Sequence, residues 1–384
     1  MIAHPHLEHA VAPPWRVLGA LRLPDVVFLL ALAFLAGAGV LALYSAAGGS
    51  WHPWASSQAV RFGVSLLIVL FVASVSTRVL LDAAYPIYVL CLASLLAVEF
   101  FGQVGMGAQR WLNLGFMSIQ PSEFAKIGLI LAIARYYHFS PADRAVSLLH
   151  GLPALIMIAV PTILVFLQPN LGTSLLLMMA GLTVALMGGL PLWLMGAAGA
   201  AAIATAPALW MHMHEYQKSR VLTFLDPERD PLGAGYNIIQ SKIALGSGRM
   251  FGKGFLEGSQ SQLGFLPEKH TDFILVVLAE EWGLVGSLSV LLACCVVIAY
   301  GYAVAWRAQH EFGRLLALGL TTSFFLYVFV NMAMIMGLIP VVGIPLPLLS
   351  NGGTVMMAVM ISAGILLNIS LRPSLHRGNG NSFG

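Results

Sequence analysis

A chain of 384 residues with 59% apolar and only 9% charged side chains, and a mean hydropathy of +0.86, is far from a soluble average and reads as an all-α, polytopic integral membrane protein. Its net charge of +3 comes from basic residues scattered singly, which excludes a nucleic-acid partner and leaves membrane lipid and protein. Cys91, Cys294 and Cys295 all fall inside apolar runs, so neither a disulfide framework nor a thiolate metal site is readable.

Residues 1–24 read as a cytoplasmic tail. Arg16 and Arg22 precede an apolar run that is too long for a signal-peptide core and has no small-residue cleavage site, so it is expected to stay as the first helix. About ten apolar windows of membrane-crossing length follow. They run from Asp25 to Ala46, Ala59 to Ser76, Leu80 to Phe101, Ser122 to Tyr137 and Leu149 to Leu167, then Gly172 to Gly188, Pro191 to Trp210, Phe273 to Trp306, Leu315 to Ile339 and Gly352 to Leu371. Basic residues in short loops set the orientation: Arg16, Arg22, Arg78, Arg135, Arg144, Arg307, Arg314, Arg372 and Arg377 all fall on one side, the cytoplasmic one. Both termini lie there, with a tail over 372–384. The membrane domain spans 25–371, with a large extracytoplasmic loop over about 211–272 between helices seven and eight.

With this parity the most polar stretches face outside: "GAQRWLNLGFMSIQPSEFAK", "LQPNLGTS", the long loop and "PLPLLSNGGT". Spans four, six, eight and ten then begin on the outer face, and four helix N-termini offer free N–H groups and partial positive charge to an anion. The alternative for Ser122, Asn170 and Ser350 is that each is a helix cap or turn residue. Glu123 and Lys126, three apart in the first turn of span four, would pair on one face, either at the site or as a purely structural ion pair. The eighth window would make a helix of ~50 Å, so its outer third must protrude, tilt or line a cavity. The four-residue spacing of Asp272, Val276 and Glu280 puts both carboxylates on one face, with Glu281 rotated off it. Ionisable groups at this depth are functional candidates, although Thr271 or Asp272 could simply cap the helix start.

The long loop mixes turn formers, such as Asp226-Pro227 and Asp230-Pro231, with the amphipathic stretch "YNIIQSKIAL". Lys242, Arg249, Lys253 and Lys269 could meet phosphate there, among glycines that permit close backbone approach. His212 and His214 read as solvated loop residues rather than a metal pair. No Walker A or dinucleotide fingerprint is present, and no cofactor is evident.

Taken in order, "VLALYSA", "GAQRWLNLG", "IQPSEFAKI", "LQPNLGTSLLL", "LTFLDPERDPLGAGYNIIQSKIALGSG", "GKGFLEGSQSQLGFLPEKHTDFI", "LAEEWGLVG" and "VVGIPLPLLSNGGT" resemble the SEDS family (shape, elongation, division and sporulation) over nearly the whole chain. "FLPEKHTDF" and "SQSQ" are more similar to its elongation members than to its division members. Asn351 stands where the family often has tyrosine, and Thr354 where serine is usual.

The resemblance implies a peptidoglycan glycosyltransferase of the bacterial inner membrane, polymerising lipid II on the extracytoplasmic face during cell elongation and rod-shape maintenance. It assigns catalysis to Asp272 of "HTDF", with His270 of the same motif in support. Glu123 and Lys126 match a functional pair, and Glu280 and Glu281 match the "AEE" stretch. An ionised carboxylate can take the proton of an acceptor hydroxyl while a lipid pyrophosphate leaves, and the expected displacement is inverting, forming a β-1,4 bond. Lys126, Arg110, Arg249 or Lys253 could stabilise the leaving charge. The family further implies a class B penicillin-binding protein as transpeptidase partner, with other elongation-complex proteins, and leaves a Mg²⁺ or Mn²⁺ requirement open. A lipid II flippase and a non-catalytic scaffold are the competing readings. The outward clustering of charge and the lack of a visible inverted repeat favour the enzyme.

Overall fold

The computed structural model describes residues 13–105, 108–113, 118–140, 148–194, 234–265 and 268–372, with 115 and scattered positions between 196 and 226. The chain is mostly helical. In chain order α1 covers Pro14–Gly19, α2 Leu23–Ala46, α3 Trp54–Ser74, α4 Thr77–Phe101, α5 Pro121–His138, α6 Leu148–Leu167, α7 Leu171–Met187, α8 Ala234–Ser247, α9 Ser259–Gln262, α10 Ile274–Arg307, α11 Glu311–Ile335 and α12 Gly353–Leu371. Between α4 and α5 lies a small antiparallel sheet, β1 (Gln103–Gly105), β2 (Ala108–Asn113) and β3 (Ser118–Ile119), which corrects the purely helical expectation. Half of the window expected for span seven, with Arg144, His212, His214 and Arg377, lies outside the described residues.

Among the described residues seven helices, α2, α3, α4, α6, α10, α11 and α12, are long and apolar enough to cross a membrane, which makes the chain a multi-pass membrane protein. The shorter α7 is also apolar, and α5 is set apart by its charges. Its position explains how it tolerates them. Along Pro121–Ala134 every residue except Phe124 is buried, because α4, α6, α7 and α11 pack around it. Small residues bring those neighbours close: a Cβ at Gly128 would press on Cys91 of α4, and one at Gly319 on Ile130 and Val184. The outer helices do the reverse, leaving Val64, Leu67 and Phe71 of α3 and Val89 and Leu90 of α4 exposed to the hydrocarbon.

α10 is not the single rod that its apolar length suggests. At Gly283 the backbone turns to φ 67°, ψ −159° and α10 breaks into a first piece, residues 274–282, and a span over 284–307 of ~36 Å. The first piece is buried on nearly every side, so it enters the protein instead of protruding. The glycine-rich loop fills the break. Lys253 N and Gly254 N donate to the carbonyls of Glu280 and Glu281 (3.0 and 3.1 Å), while Leu284 N and Val285 N donate to those of Arg249 and Met250 (2.9 and 3.1 Å). Four backbone groups beside the kink thus find partners in the loop. Only glycine fits: a Cβ on Gly283 would overlap Gly252 and the carbonyls of Gly248 and Met250, and both Gly283 and Gly252 have positive φ.

Candidate active site

Asp272 lies in the turn just ahead of α10, half-buried, and its placement differs from the helical reading. The N-cap of α10 is Phe273, without a side-chain cap bond, so Asp272 precedes the helix and the i,i+4 relation to Glu280 does not apply. Nor does Thr271 cap it, since its hydroxyl bonds back to the carbonyl and carboxylate of Glu268. The turn is fixed through its backbone. Asn331 of α11 donates from Nδ2 to the Asp272 carbonyl at 3.0 Å and to that of Ile344 at 2.7 Å, which ties the catalytic candidate to the loop before α12. There Gly343, at φ 72°, lies so near that a Cβ would stand 3.5 Å from Asp272 Oδ2.

The same loop gathers the other helix starts. Gly172 at the start of α7 packs on Val342 and Ile344, and Gln120 N, preceding α5, reaches Thr354 Oγ1 in α12 at 3.4 Å. Four helix N-termini therefore border one region, as the parity argument expects. No side-chain cap forms at Asn170, an N-cap position lacking a side-chain bond, or at Ser122, since α5 begins after Gln120, whereas Ser350 is the turn residue its alternative reading allowed, its Oγ accepting Leu346 N (2.9 Å).

One side of the site is built by α3. His270 stacks flat on Trp54 with ring centroids 4.4 Å apart, and its carbonyl accepts Asn351 N at 2.9 Å. Arg61 donates to Asn351 Oδ1 at 2.7 Å, and the buried Gln58 holds the carbonyls of Leu348 and Ser350 at 2.8 and 3.2 Å. Asn351 and Thr354 thus both make polar contacts within the site. Burial lowers the His270 pKa, against an upward pull from Glu268, with Lys269 adding to the lowering. Lys269 is itself lowered by burial, countered by Glu281, and donates to the Ser261 carbonyl at 2.7 Å.

The remaining charges fall into separate places. Glu123 and Lys126 form a pair at 2.9 Å, each 3% exposed, and the Tyr327 hydroxyl of α11 contacts both. Lys126 Nζ also lies 4.2 Å from the Tyr327 ring centroid. These three line a pocket of about 30 Å³, large enough for a water. Glu280, fully buried, accepts Lys253 Nζ at 2.6 Å, Gln260 N at 2.9 Å, Ser261 N at 3.1 Å and Ser259 Oγ at 3.3 Å, so it anchors the 253–261 loop. Glu281 accepts the Ser45 hydroxyl of α2. Arg110 on β2 donates to the Pro169 carbonyl, Lys242 stands exposed on α8, and Arg249 is exposed in the glycine-rich loop. Of the cations expected to meet phosphate, Lys253 is therefore committed to a carboxylate.

Sequence reasoning did not single out Arg61, Trp54, Gln58, Asn331 or Tyr327. A signal existed for Arg61, an isolated cation within an apolar window, and for Tyr327 and Asn331, four apart in another.

Comparison with known proteins then decides the family. The model of the FtsW/RodA/SpoVE cell cycle proteins matches residues 22–374. The chain belongs to this family. It is 48% identical over 310 residues to the peptidoglycan glycosyltransferase MrdB of Escherichia coli K12, covering 80% of this chain and 83% of that one. It is 36% identical over 357 residues to a probable peptidoglycan glycosyltransferase FtsW of Trichlorobacter lovleyi, covering 90% and 93%. A chain solved to describe structural coordination of polymerization and crosslinking by a peptidoglycan synthase complex superposes with TM-score 0.76 at 30% identity, over 89% of this chain and 96% of that one. Rod shape determining protein RodA of Thermus thermophilus superposes with TM-score 0.68 at 26% identity, over 89% and 95%.

Proposed function

We propose that this protein is a peptidoglycan glycosyltransferase that polymerises lipid II, the lipid-pyrophosphate-linked disaccharide peptide, on the extracytoplasmic face of the bacterial inner membrane during cell elongation. The observation that carries the reading is the Asp272 turn, held by Asn331 against the 343–354 loop where four helix starts meet, in a chain 48% identical to a peptidoglycan glycosyltransferase. The ten-span topology, both termini in the cytoplasm over 1–24 and 372–384 and the outer loop over 211–272 belong to this proposal.

In the reaction, the Asp272 carboxylate takes the proton of the acceptor hydroxyl as that oxygen attacks the anomeric carbon. The carbon–oxygen bond to the pyrophosphate breaks on the opposite face, giving a β-1,4 linkage with inversion. Arg61, steadied by Asn351, and the bordering helix N-termini offer positive potential to the departing pyrophosphate. Lys253 serves loop anchoring instead, through Glu280. Among the described residues no three His, Cys, Asp or Glu side chains come together, so a Mg²⁺ or Mn²⁺ ion would draw most of its ligands from the substrate's oxygens and water. A class B penicillin-binding protein is the proposed crosslinking partner, in line with the neighbour solved in a peptidoglycan synthase complex.

A flippase would use a broken helix as a ligand site. The break at Gly283 is instead closed by the protein's own loop, which favours the enzyme. The test is polymerisation of labelled lipid II by purified protein, with and without the transpeptidase and with a chelator. Asp272→Asn should insert and bind its partner normally yet lose roughly 10²- to 10⁴-fold in rate. Near-parental polymerisation by that variant would overturn the general-base assignment.

A further inference from the structure

At the end of the helices opposite Asp272, residues of α2, α10 and α12 enclose a groove of about 400 Å³ that no step of the proposed reaction uses. We infer that this groove binds an anionic phospholipid of the leaflet facing away from the active site, with Arg22 and Arg307 holding the phosphate and Val27, Val296, Ala299 and Ala303 lining the track of one acyl chain.

Its position follows from the fold. Asp272 precedes α10 and Arg307 ends it, ~36 Å of helix beyond the break at Gly283, so the two lie at opposite surfaces of a bilayer about 30 Å thick. Trp306, 91% exposed, marks the interface at that end. Arg22, at the N-cap of α2, and Arg307, in the last turn of α10, are both exposed and stand at the groove's mouth. Guanidinium groups at that level match phosphate in geometry as well as charge.

The floor selects against a zwitterionic headgroup. Asp25, the groove's one acidic lining residue, is 1% exposed, and its oxygens are occupied: Oδ2 by Arg22 N at 2.8 Å, Oδ1 by the hydroxyls of Tyr300 and Ser370 at 2.7 Å each. These bonds tie the ends of three helices together, with Tyr300 stacked on Phe28 at 4.1 Å, so the groove is held in shape by the protein itself. Two exposed cations thus face a ligand with no accessible carboxylate to receive an ammonium. Phosphatidylglycerol or cardiolipin satisfies that charge pattern, whereas the amine of phosphatidylethanolamine finds no partner. Behind the cations, Ala299 and Ala303 lie exposed one turn apart on α10 next to Val27 of α2, leaving a shallow apolar channel into the membrane.

Native mass spectrometry of the purified full-length protein in detergent, titrated with phosphatidylglycerol, cardiolipin, phosphatidylethanolamine or inorganic phosphate, tests this. The parent should retain about one anionic lipid per chain in preference to phosphatidylethanolamine, and phosphate alone should not displace it. The Arg22→Gln/Arg307→Gln double variant should bind roughly 25-fold more weakly, about fivefold per cation. Ala299→Phe/Ala303→Phe should block the chain with the charges intact, while Arg78→Gln, elsewhere on the same face, should change nothing. Arg22→Lys/Arg307→Lys, which keeps the charge, guards against a folding defect and should recover most of the binding. Unchanged affinity in both Arg22→Gln/Arg307→Gln and Ala299→Phe/Ala303→Phe, equal retention of phosphatidylethanolamine, or displacement by millimolar phosphate would each overturn the inference. Since binding is read without lipid II, the result is independent of whether Asp272 polymerises glycan.

Discussion

Two ion pairs among the described residues, Glu123–Lys126 and Glu280–Lys253, each with a buried carboxylate, are built in opposite ways. Glu123 and Lys126 are neighbours on one turn of α5, both sealed from solvent, and the Tyr327 hydroxyl is their shared polar contact. Glu280 and Lys253 are far apart in sequence, and Lys253 is 28% exposed. Their carboxylate also rests on two backbone N–H groups and a serine hydroxyl of the loop it anchors. The first pair depends on a single charge for its neutralisation, whereas the second is one bond in a cradle. A buried charge costs most where nothing but its counter-ion compensates it, so the local pair should be the more fragile one.

Breaking the pairs one partner at a time measures this difference. Lys126→Met leaves Glu123 buried with Tyr327 alone and should cost about 3–5 kcal/mol of stability, or prevent accumulation in the membrane. The double change Glu123→Gln/Lys126→Met should recover much of that loss, and equal thermal denaturation of the single and double variants would contradict the pairing. Lys253→Met leaves Glu280 with three other donors, so a smaller loss of about 2–3 kcal/mol is expected. Protease sensitivity between residues 248 and 262 should rise in that variant, and if it falls as far as Lys126→Met the cradle contributes nothing.

Tyr327→Phe keeps the ring over Lys126 and removes only the bridging hydroxyl. It should cost about 1–2 kcal/mol, measurable as a lower thermal midpoint in detergent. The smallest effect belongs to the turn at the candidate site. The His270 pKa is lowered by burial, so folding favours the neutral ring: the stabilisation is present above the ordinary value near 6.5 and is lost as pH falls through the lowered folded value. Comparing thermal midpoints between pH 7 and 5, the parent should lose slightly more stability than His270→Gln. Identical acid profiles would show that the stack on Trp54 carries no such linkage.

The sequence alone determined the membrane class, most of the apolar spans and the Glu123–Lys126 contact, since each rests on apolar run length or on short helical spacing. It also marked Asp272 through its motif, but spacing assigned that residue to a helix face it does not occupy, because spacing assumes a helix already running at Asp272 and α10 begins only after Phe273. Apolar run length likewise hides the break at Gly283, whose hydrogen bonds come from a loop about thirty residues earlier. Tertiary structure decided the rest for the same reason. Tyr327 against Lys126, Arg61 against Asn351, Asn331 against Asp272 and Asp25 against Tyr300 and Ser370 are contacts between residues remote in sequence, and no local pattern of apolar and polar positions encodes which buried polar group will satisfy which.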